Sequence, residues 1–371
     1  MSTIGDQKLN TLDSLPREKS NPKIILVNRY SPPTSIYRLT QDLRSVLGKE
    51  ASVINLRYNP REPKIDGSSV SFRARFQVLP QLNYLFRNIA FSNARKYIES
   101  LSRNEGHLIV HYTSQFSGVL NMDMVTNIIS IHDSPYYINN SSFIEKHYLT
   151  WLYNSLKMQK YIITNTNQLK NELIDFGFEG EIRTIYHPYS SIFQHLAIKK
   201  DTLRKKLGLP NDRKLVLSIS TDSARKNLPM VKRVLDKLGN GFKLVRVGTS
   251  LGSSITFRDI DDKTLNELYN ACDVLLLPSL YEGFGFPIIE AFATGLPVVA
   301  SDIPTIKEIA GNAAVLCDPR DLDNLKEGIM NTMEYKDDLI RKGIERSSLF
   351  SFDRFRNNML SLYENIEQDT L

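Results

Sequence analysis

Short apolar runs, each closed by polar, glycine or proline residues and followed by a stretch of helical spacing, recur along the whole chain. Lys-Ile-Ile-Leu-Val-Asn at 23–28 is the first, and Ser35–Leu47 then carries apolar residues at helical intervals. An apolar run without alternation is the pattern of a parallel strand covered on both faces. Further strands are predicted at 108–111, 128–132 and 161–164, with a helix over 167–176 that stops at Gly177. After Pro188 and Pro210 a second series begins, with strands at 215–219, 243–247, 274–277, 298–300 and 315–317 and helices between them. Strands alternating with helices in both halves predict two doubly wound α/β domains, whose ligands arrive at the carboxyl ends of the strands.

Length agrees with two domains, since 371 residues exceed what one core holds. Apolar residues at 41% and charged residues at 24% exclude a disordered or fibrous chain. No run of about 18 apolar residues is present to span a bilayer. Residues 1–21 are polar, lack the apolar core of a signal peptide, and read as a flexible leader. Cys272 and Cys317 sit singly in apolar stretches and read as buried free thiols, which suits a reducing cytoplasm.

Charge divides the halves. The net charge is +6, and residues 1–186 hold all of it, with 22 Lys and Arg against 16 Asp and Glu. The excess concentrates in 51–104, where Arg57, Arg61, Lys64, Arg73, Arg75, Arg87, Arg95, Lys96 and Arg103 face three acids. Within it, 78–102 mixes apolar residues with Arg95 and Lys96. Two readings fit this segment: a helix at an anionic membrane surface, or a core helix with a basic face. Nucleic acid is not expected, because no nucleic-acid motif accompanies the charge.

The chemistry concentrates at 282–290, Glu-Gly-Phe-Gly-Phe-Pro-Ile-Ile-Glu, between the run at 274–277 and an apolar helix. Pro287 suits the first position of that helix, which puts Glu290 in the first turn. Gly283 and Gly285 allow close backbone approach, and with Phe284 and Phe286 they present amides at a helix N-terminus, a setting that favours a diphosphate. Glu282 and Glu290 are placed to face one cleft, Glu290 to accept hydrogen bonds from a ribose. The plainer reading makes Glu290 a favourable first-turn acid and the glycines a tight connection. Arg225 and Lys226, directly after the strand at 215–219, put two cations where an anionic ligand arrives; a solvated charged loop is the plainer reading there. Asp259-Ile-Asp261 forms an Asp-x-Asp string, but Asp261 or Asp262 reads as the N-cap of a helix from Lys263, so no metal site is assigned.

These motifs carry a resemblance. Residues 265–301, which include Ala-Cys-Asp-Val-Leu-Leu-Leu-Pro-Ser-Leu-Tyr-Glu-Gly-Phe-Gly-Phe-Pro, resemble the signature of retaining GT-B glycosyltransferases of family 4. The likeness continues through Ile303, Pro304, Glu308, Gly311 and Pro319. Arg225-Lys226-Asn227 is similar to the family's phosphate-binding pair, His132-Asp133 to its His-Asp pair facing the donor sugar, and 353–366 to the helix that crosses back onto the first domain. The resemblance covers about residues 205–365.

It implies a GT-B fold, two Rossmann-like domains facing a central cleft. An acceptor domain of 22–187, joined by a returning helix at 352–371, would face a nucleotide-sugar domain of 188–351. The implied activity is retaining, metal-independent transfer of a hexose-type sugar from a UDP or GDP sugar to a glycan or lipid-linked glycan, without a cofactor. The enzyme would work in the cytoplasm or at the cytoplasmic face of a membrane. Glu282, His132, Arg225 and Lys226 would be catalytic, and Arg225, Lys226, Gly283, Phe284, Gly285, Phe286 and Glu290 would bind the donor. Two departures stand out: the loop at 28–34 has no glycine where the family often has several, and Ser220 stands where a glycine is common. They motivate one alternative, a degenerate subunit partnering another transferase; a nucleotide-sugar 2-epimerase is a further alternative because that enzyme class has a similar fold.

Overall fold

The computed structural model describes residues 24–28, 34–57, 69–73, 83–117, 119, 121–122, 124–136 and 143–370. The first half runs β1 (Ile24–Asn28), α1 (Ser35–Leu47), β2 (Ala51–Arg57), β3 (Ser69–Arg73), α2 (Asn83–Glu105), β4 (Leu108–Tyr112), β5 (Val125–Ile131), α3 (Phe143–Leu156), β6 (Tyr161–Thr164), α4 (Asn167–Asp175) and β7 (Glu181–Thr184). Its seven strands are all parallel, in the order β3-β2-β1-β4-β5-β6-β7.

The second half runs α5 (Lys200–Leu207), β8 (Lys214–Ile219), α6 (Leu228–Leu238), β9 (Phe242–Val247), β10 (Ile255–Phe257), α7 (Asp262–Ala271), β11 (Val274–Leu277), α8 (Phe286–Thr294), β12 (Val298–Ser301), α9 (Pro304–Ala310), β13 (Val315–Cys317), α10 (Leu322–Glu334), α11 (Lys336–Ser347) and α12 (Phe352–Gln368). Its six parallel strands follow the order β10-β9-β8-β11-β12-β13. In each sheet the strand order reverses at the first strand, leaving a crevice between β1 and β4 and another between β8 and β11.

Full burial explains the apolar runs: β1 and β11 are covered along their whole length. Local signals set the helix ends. The Thr34 hydroxyl accepts from the Tyr37 amide to start α1, and Thr166 does the same for Leu169 in α4. The strands β2, β3, β7 and β10 were not anticipated. Their sequences mix polar and apolar residues, and β3, β7 and β10 lie at sheet edges, where one side goes uncovered.

Helix α12 leaves the second half and packs on the first. Phe355, Met359, Leu362, Tyr363 and Ile366 join the core formed by Leu39, Leu43 and β1, each such side chain contributing roughly 1.5–3 kcal/mol by burial. The Tyr363 hydroxyl also meets His111 Nδ1 at 2.6 Å. The cysteines are free and buried, and burial pushes the Cys272 thiol up to about 12 and that of Cys317 to about 11.

Part of the 78–102 segment falls outside the described residues. Where side chains of α2 are described, Ala94 and Ile98 enter the core and Arg95 pairs with Glu99 at 2.8 Å. Among the described residues, no helix is long and apolar enough to cross a membrane.

Candidate functional site

The loops that leave β8 and β11 flank the crevice of the second sheet and bring the predicted residues together. Arg225 and Lys226 come from the first loop, Glu282–Phe286 from the second. Both line a cleft of about 440 Å³, closed on the other side by Thr34, Ile36, His132, Asp133, Asn165 and His187 of the first half and the linker.

Lys226 Nζ lies 2.6 and 2.8 Å from the two Glu282 carboxylate oxygens, and Arg225 Nη1 lies 3.5 Å from the same group. Glu282 is buried. Burial disfavours the charge on Lys226 and lowers its pKa, and Glu282 opposes that shift. The two cations therefore already share one acid, and an incoming diphosphate would compete with Glu282 for them. Asn227, in a left-handed conformation, donates to the Pro278 and Pro319 carbonyls and locks this loop to β11. Ser220, at the glycine-like position, is held by the fully buried Arg246, whose guanidinium donates to both its carbonyl and its hydroxyl oxygen.

The helix after the glycines differs from expectation in register. Helix α8 starts at Phe286 with Gly285 as its cap, so Pro287 is the second residue and not the first. The first turn holds no acid, and Glu290 lies beyond it. Glu290 is thus no helix-dipole acid. It is buried, accepts from the Tyr269 hydroxyl at 2.7 Å, and sits 3.7 Å from Arg38. Burial pushes its carboxyl up to about 7, against the pull of Tyr269 and Arg38.

The two glycines also have reasons that the sequence did not show. Gly285 has φ near +101°, which favours glycine. A Cβ on Gly283 would stand 2.9 Å from the His132 carbonyl oxygen, so this glycine lets the two halves touch. Phe284 and Phe286 pack against the His187 ring.

His132 follows β5 and is buried, with Nε2 donating to the Thr113 carbonyl at 2.7 Å. Burial lowers its pKa, against the effects of Thr113 and Asp133. Asp261 accepts from the Thr264 amide as the N-cap of α7, which accounts for that end of the Asp-x-Asp string.

Several contacts that join the two halves, and two residues that line the cleft, were not anticipated. Arg38 in α1 reaches across to Asp262 at 3.0 Å and to Glu290. The Ser134 amide donates to the Tyr281 hydroxyl at 3.0 Å. Glu308 accepts the amides of Asn167 and Gln168 and the Tyr186 hydroxyl, capping α4 from the other half. His187 and Asn165 line the cleft floor. Tyr281 and Glu308 lie in the stretch that carries the family likeness, where no contact was assigned to them; the others belong to no spaced motif. Arg38 and Tyr269 look like ordinary helix residues, and the only local signal for His187 is the following Pro188.

Two doubly wound parallel sheets facing one cleft, with the last helix returned to the first sheet, define the GT-B class. Residues 199–346 match the family described as glycosyl transferases group 1. The O-antigen chain mannosyltransferase B of Escherichia coli is 30% identical over 126 residues, 33% of either chain. The O-antigen chain mannosyltransferase RfbU of Salmonella typhimurium is 27% identical over 232 residues, 57% of this chain and 62% of its own. The chain thus spans between a third and three fifths of the length of these relatives. Among solved structures, the sucrose-phosphate synthase of Thermosynechococcus elongatus gives a TM-score of 0.78 at 18% identity, covering 94% of this chain and 100% of its own. Anabaena Alr3699/HepE in complex with UDP and glucose gives 0.72 at 17%, covering 93% and 100%. The fold is thus that of GT-B glycosyltransferases, and the second half carries the likeness to glycosyl transferases group 1.

Proposed function

We propose that this chain is a retaining glycosyltransferase that moves a hexose from a UDP or GDP sugar to a glycan or lipid-linked glycan. The observation that carries the reading is the Lys226–Glu282–Arg225 cluster, two partly exposed cations on a buried acid, beside the glycine turn and facing His132 across the cleft. A departing diphosphate develops negative charge, which Lys226 and Arg225, once released from Glu282, and the amides at the start of α8 would meet. These cations supply the charge that a metal would otherwise bring, so full activity in excess chelator is expected.

Glu290, beyond the first turn of α8, would accept hydrogen bonds from the ribose, and Glu282 would turn from Lys226 toward the sugar once the diphosphate claims the cation. With the leaving phosphate on the side of the acceptor, that phosphate takes the acceptor proton, and no strong side-chain base is required. The mannosyltransferase relatives favour mannose as the transferred sugar and bacterial surface glycan as the acceptor class, while the HepE complex favours a uridine donor. A lipid-linked acceptor would bring the enzyme to the cytoplasmic face of a membrane.

The test is release of UDP or GDP from UDP-glucose and GDP-mannose in chelator, with and without lipid-linked oligosaccharide. Sugar transfer to the lipid by the purified protein supports the reading. Binding of neither donor, with no turnover, would overturn it and leave a subunit that serves a partner transferase.

A further inference from the structure

We propose that Arg246 is a positioning residue of the donor site: it fixes the leading end of the loop that carries Arg225 and Lys226, and so sets where those cations meet the diphosphate. The proposal rests on the donor reading above and names what holds its cations in place.

Arg246 is the second-to-last residue of β9, paired with Ser218 of β8, and is completely buried. Its Nη1 donates to the Ser218 and Val247 carbonyls at 3.0 and 2.8 Å, and its Nη2 donates to the Ser220 carbonyl at 2.6 Å and the Ser220 hydroxyl at 3.0 Å. None of these acceptors is a carboxylate, and Nε has no hydrogen-bond partner among the described residues. Asp222 favours the charge from within the same loop, while burial opposes it. A buried guanidinium held by carbonyls in place of an acid is a poor way to gain stability, since an apolar side chain would fill the space at lower cost. What it holds gives it a reason.

The loop needs an anchor at this end. Thr221 to Ala224 are exposed, so packing does not define their path. The trailing end is fixed to the segment after β11: Asn227 donates to the Pro278 carbonyl as well as to that of Pro319, and the Arg225 carbonyl accepts from the Leu280 amide at 2.7 Å. At the leading end the Ser220 amide reaches the Val247 carbonyl over 3.3 Å, a long bond, and Arg246 adds two contacts to Ser220 and one to Val247. Gly248 makes room for them, because a Cβ there would stand 2.4 Å from the Ser220 carbonyl oxygen and 3.0 Å from Nη2 of Arg246. Ser220 in turn supplies what a glycine in its place could not, a hydroxyl acceptor. The departure from glycine at this position is matched by a donor that uses it, and the loop loses conformational freedom before a ligand arrives.

The test is a double-mutant cycle on nucleoside diphosphate affinity, measured by calorimetry with UDP and GDP in chelator. Arg246→Met keeps most of the buried stem and removes the guanidinium. Affinity for the diphosphate that binds should fall about tenfold, the loss of a hydrogen-bonded charged group, and Arg246→Lys should recover part of it. Lys226→Met should weaken the unaltered protein by a similar factor but the Arg246→Met protein by no more than about twofold, because a cation no longer held in place has less to lose. Ser220→Gly removes a single acceptor, so its loss should be about threefold and should likewise shrink in the Lys226→Met background.

Unchanged affinity in Arg246→Met, or losses from Arg246→Met and Lys226→Met that multiply independently, overturn the proposal while the donor site stands. Should circular dichroism show Arg246→Met unfolded, the Ser220→Gly cycle decides by the same criterion. Failure of the unaltered protein to bind either diphosphate removes the donor reading and the proposal together.

Discussion

The two sides of the cleft differ in how their polar groups are satisfied. In the second half the charges are already paired: Lys226 and Arg225 meet Glu282 at the cleft, and Tyr269 donates to the buried Glu290, which does not line it. On the opposite side, where Asp133 also lines the cleft, Nδ1 of His132 and His187 and Oδ1 of Asn165 have no hydrogen-bond partner among the described residues. A buried charge without a partner costs far more than a buried neutral group. The charged cluster therefore closes on itself, while neutral imidazole and amide groups tolerate open valences.

The largest effect is expected where this pairing is broken. Lys226→Met removes the shorter of the two contacts to Glu282 and one cation at the leaving diphosphate, so turnover should fall by about 10²- to 10³-fold. A kcat within a few fold of the unaltered protein would show that Arg225 and the backbone amides suffice.

Next is the place where the walls meet. The added methyl of Gly283→Ala would stand 2.9 Å from the His132 carbonyl. Relieving such a clash costs about 1–3 kcal/mol, so kcat/KM should drop by tenfold or more while circular dichroism stays that of a folded chain. A normal kcat/KM would mean that the halves do not approach this closely during turnover.

Glu290 gives a pH test. Its carboxyl is raised from an ordinary value of 4.5 to about 7, and ribose hydroxyls favour the ionised form. Nucleotide affinity should thus weaken about tenfold between about pH 8 and about pH 6, and the Glu290→Gln variant should show no such slope. The stability sign is the reverse of a salt-bridged acid. The folded state holds the proton between 4.5 and about 7, so this group's contribution is complete below 4.5 and is lost as pH rises through about 7. A flat affinity profile in the unaltered protein would detach Glu290 from the nucleotide.

The smallest effect is reserved for Arg38. Its pairing with Asp262 is partly exposed on both sides, at 37% and 42%, and such pairs contribute at most about 1 kcal/mol. Arg38→Ala should change nucleotide affinity no more than about fivefold, with the difference vanishing at high salt. A larger, salt-resistant loss would make Arg38 a direct ligand of the nucleotide.

Legibility divided along the same line as the chemistry. Residues 225–226 and 282–285 lie on two short loops at neighbouring strand ends, and 286–290 open α8 directly after the second, so their glycines, acids and cations appear as contiguous motifs. On the opposite wall His132 was read only through its likeness to a His-Asp pair, and Asn165 and His187 were not read at all. They are single residues at three separate strand ends, and a lone Asn or a His before Pro188 has no spacing to distinguish it. The register of α8 was misplaced by one residue because a proline is accepted at either of the first two helix positions.

By itself, the chain's pattern of buried runs and helical stretches determined two parallel α/β halves, and its contiguous loops marked the glycine turn and the cation pair proposed to hold a diphosphate, because both are matters of local spacing. Only the tertiary structure decided that Lys226 is held by Glu282, that Glu290 lies deep enough to titrate near neutrality, and that Gly283 is there for the His132 carbonyl. Each of those facts depends on which surfaces two separately folded sheets turn toward each other, and that geometry is set by long-range packing rather than by neighbours in sequence.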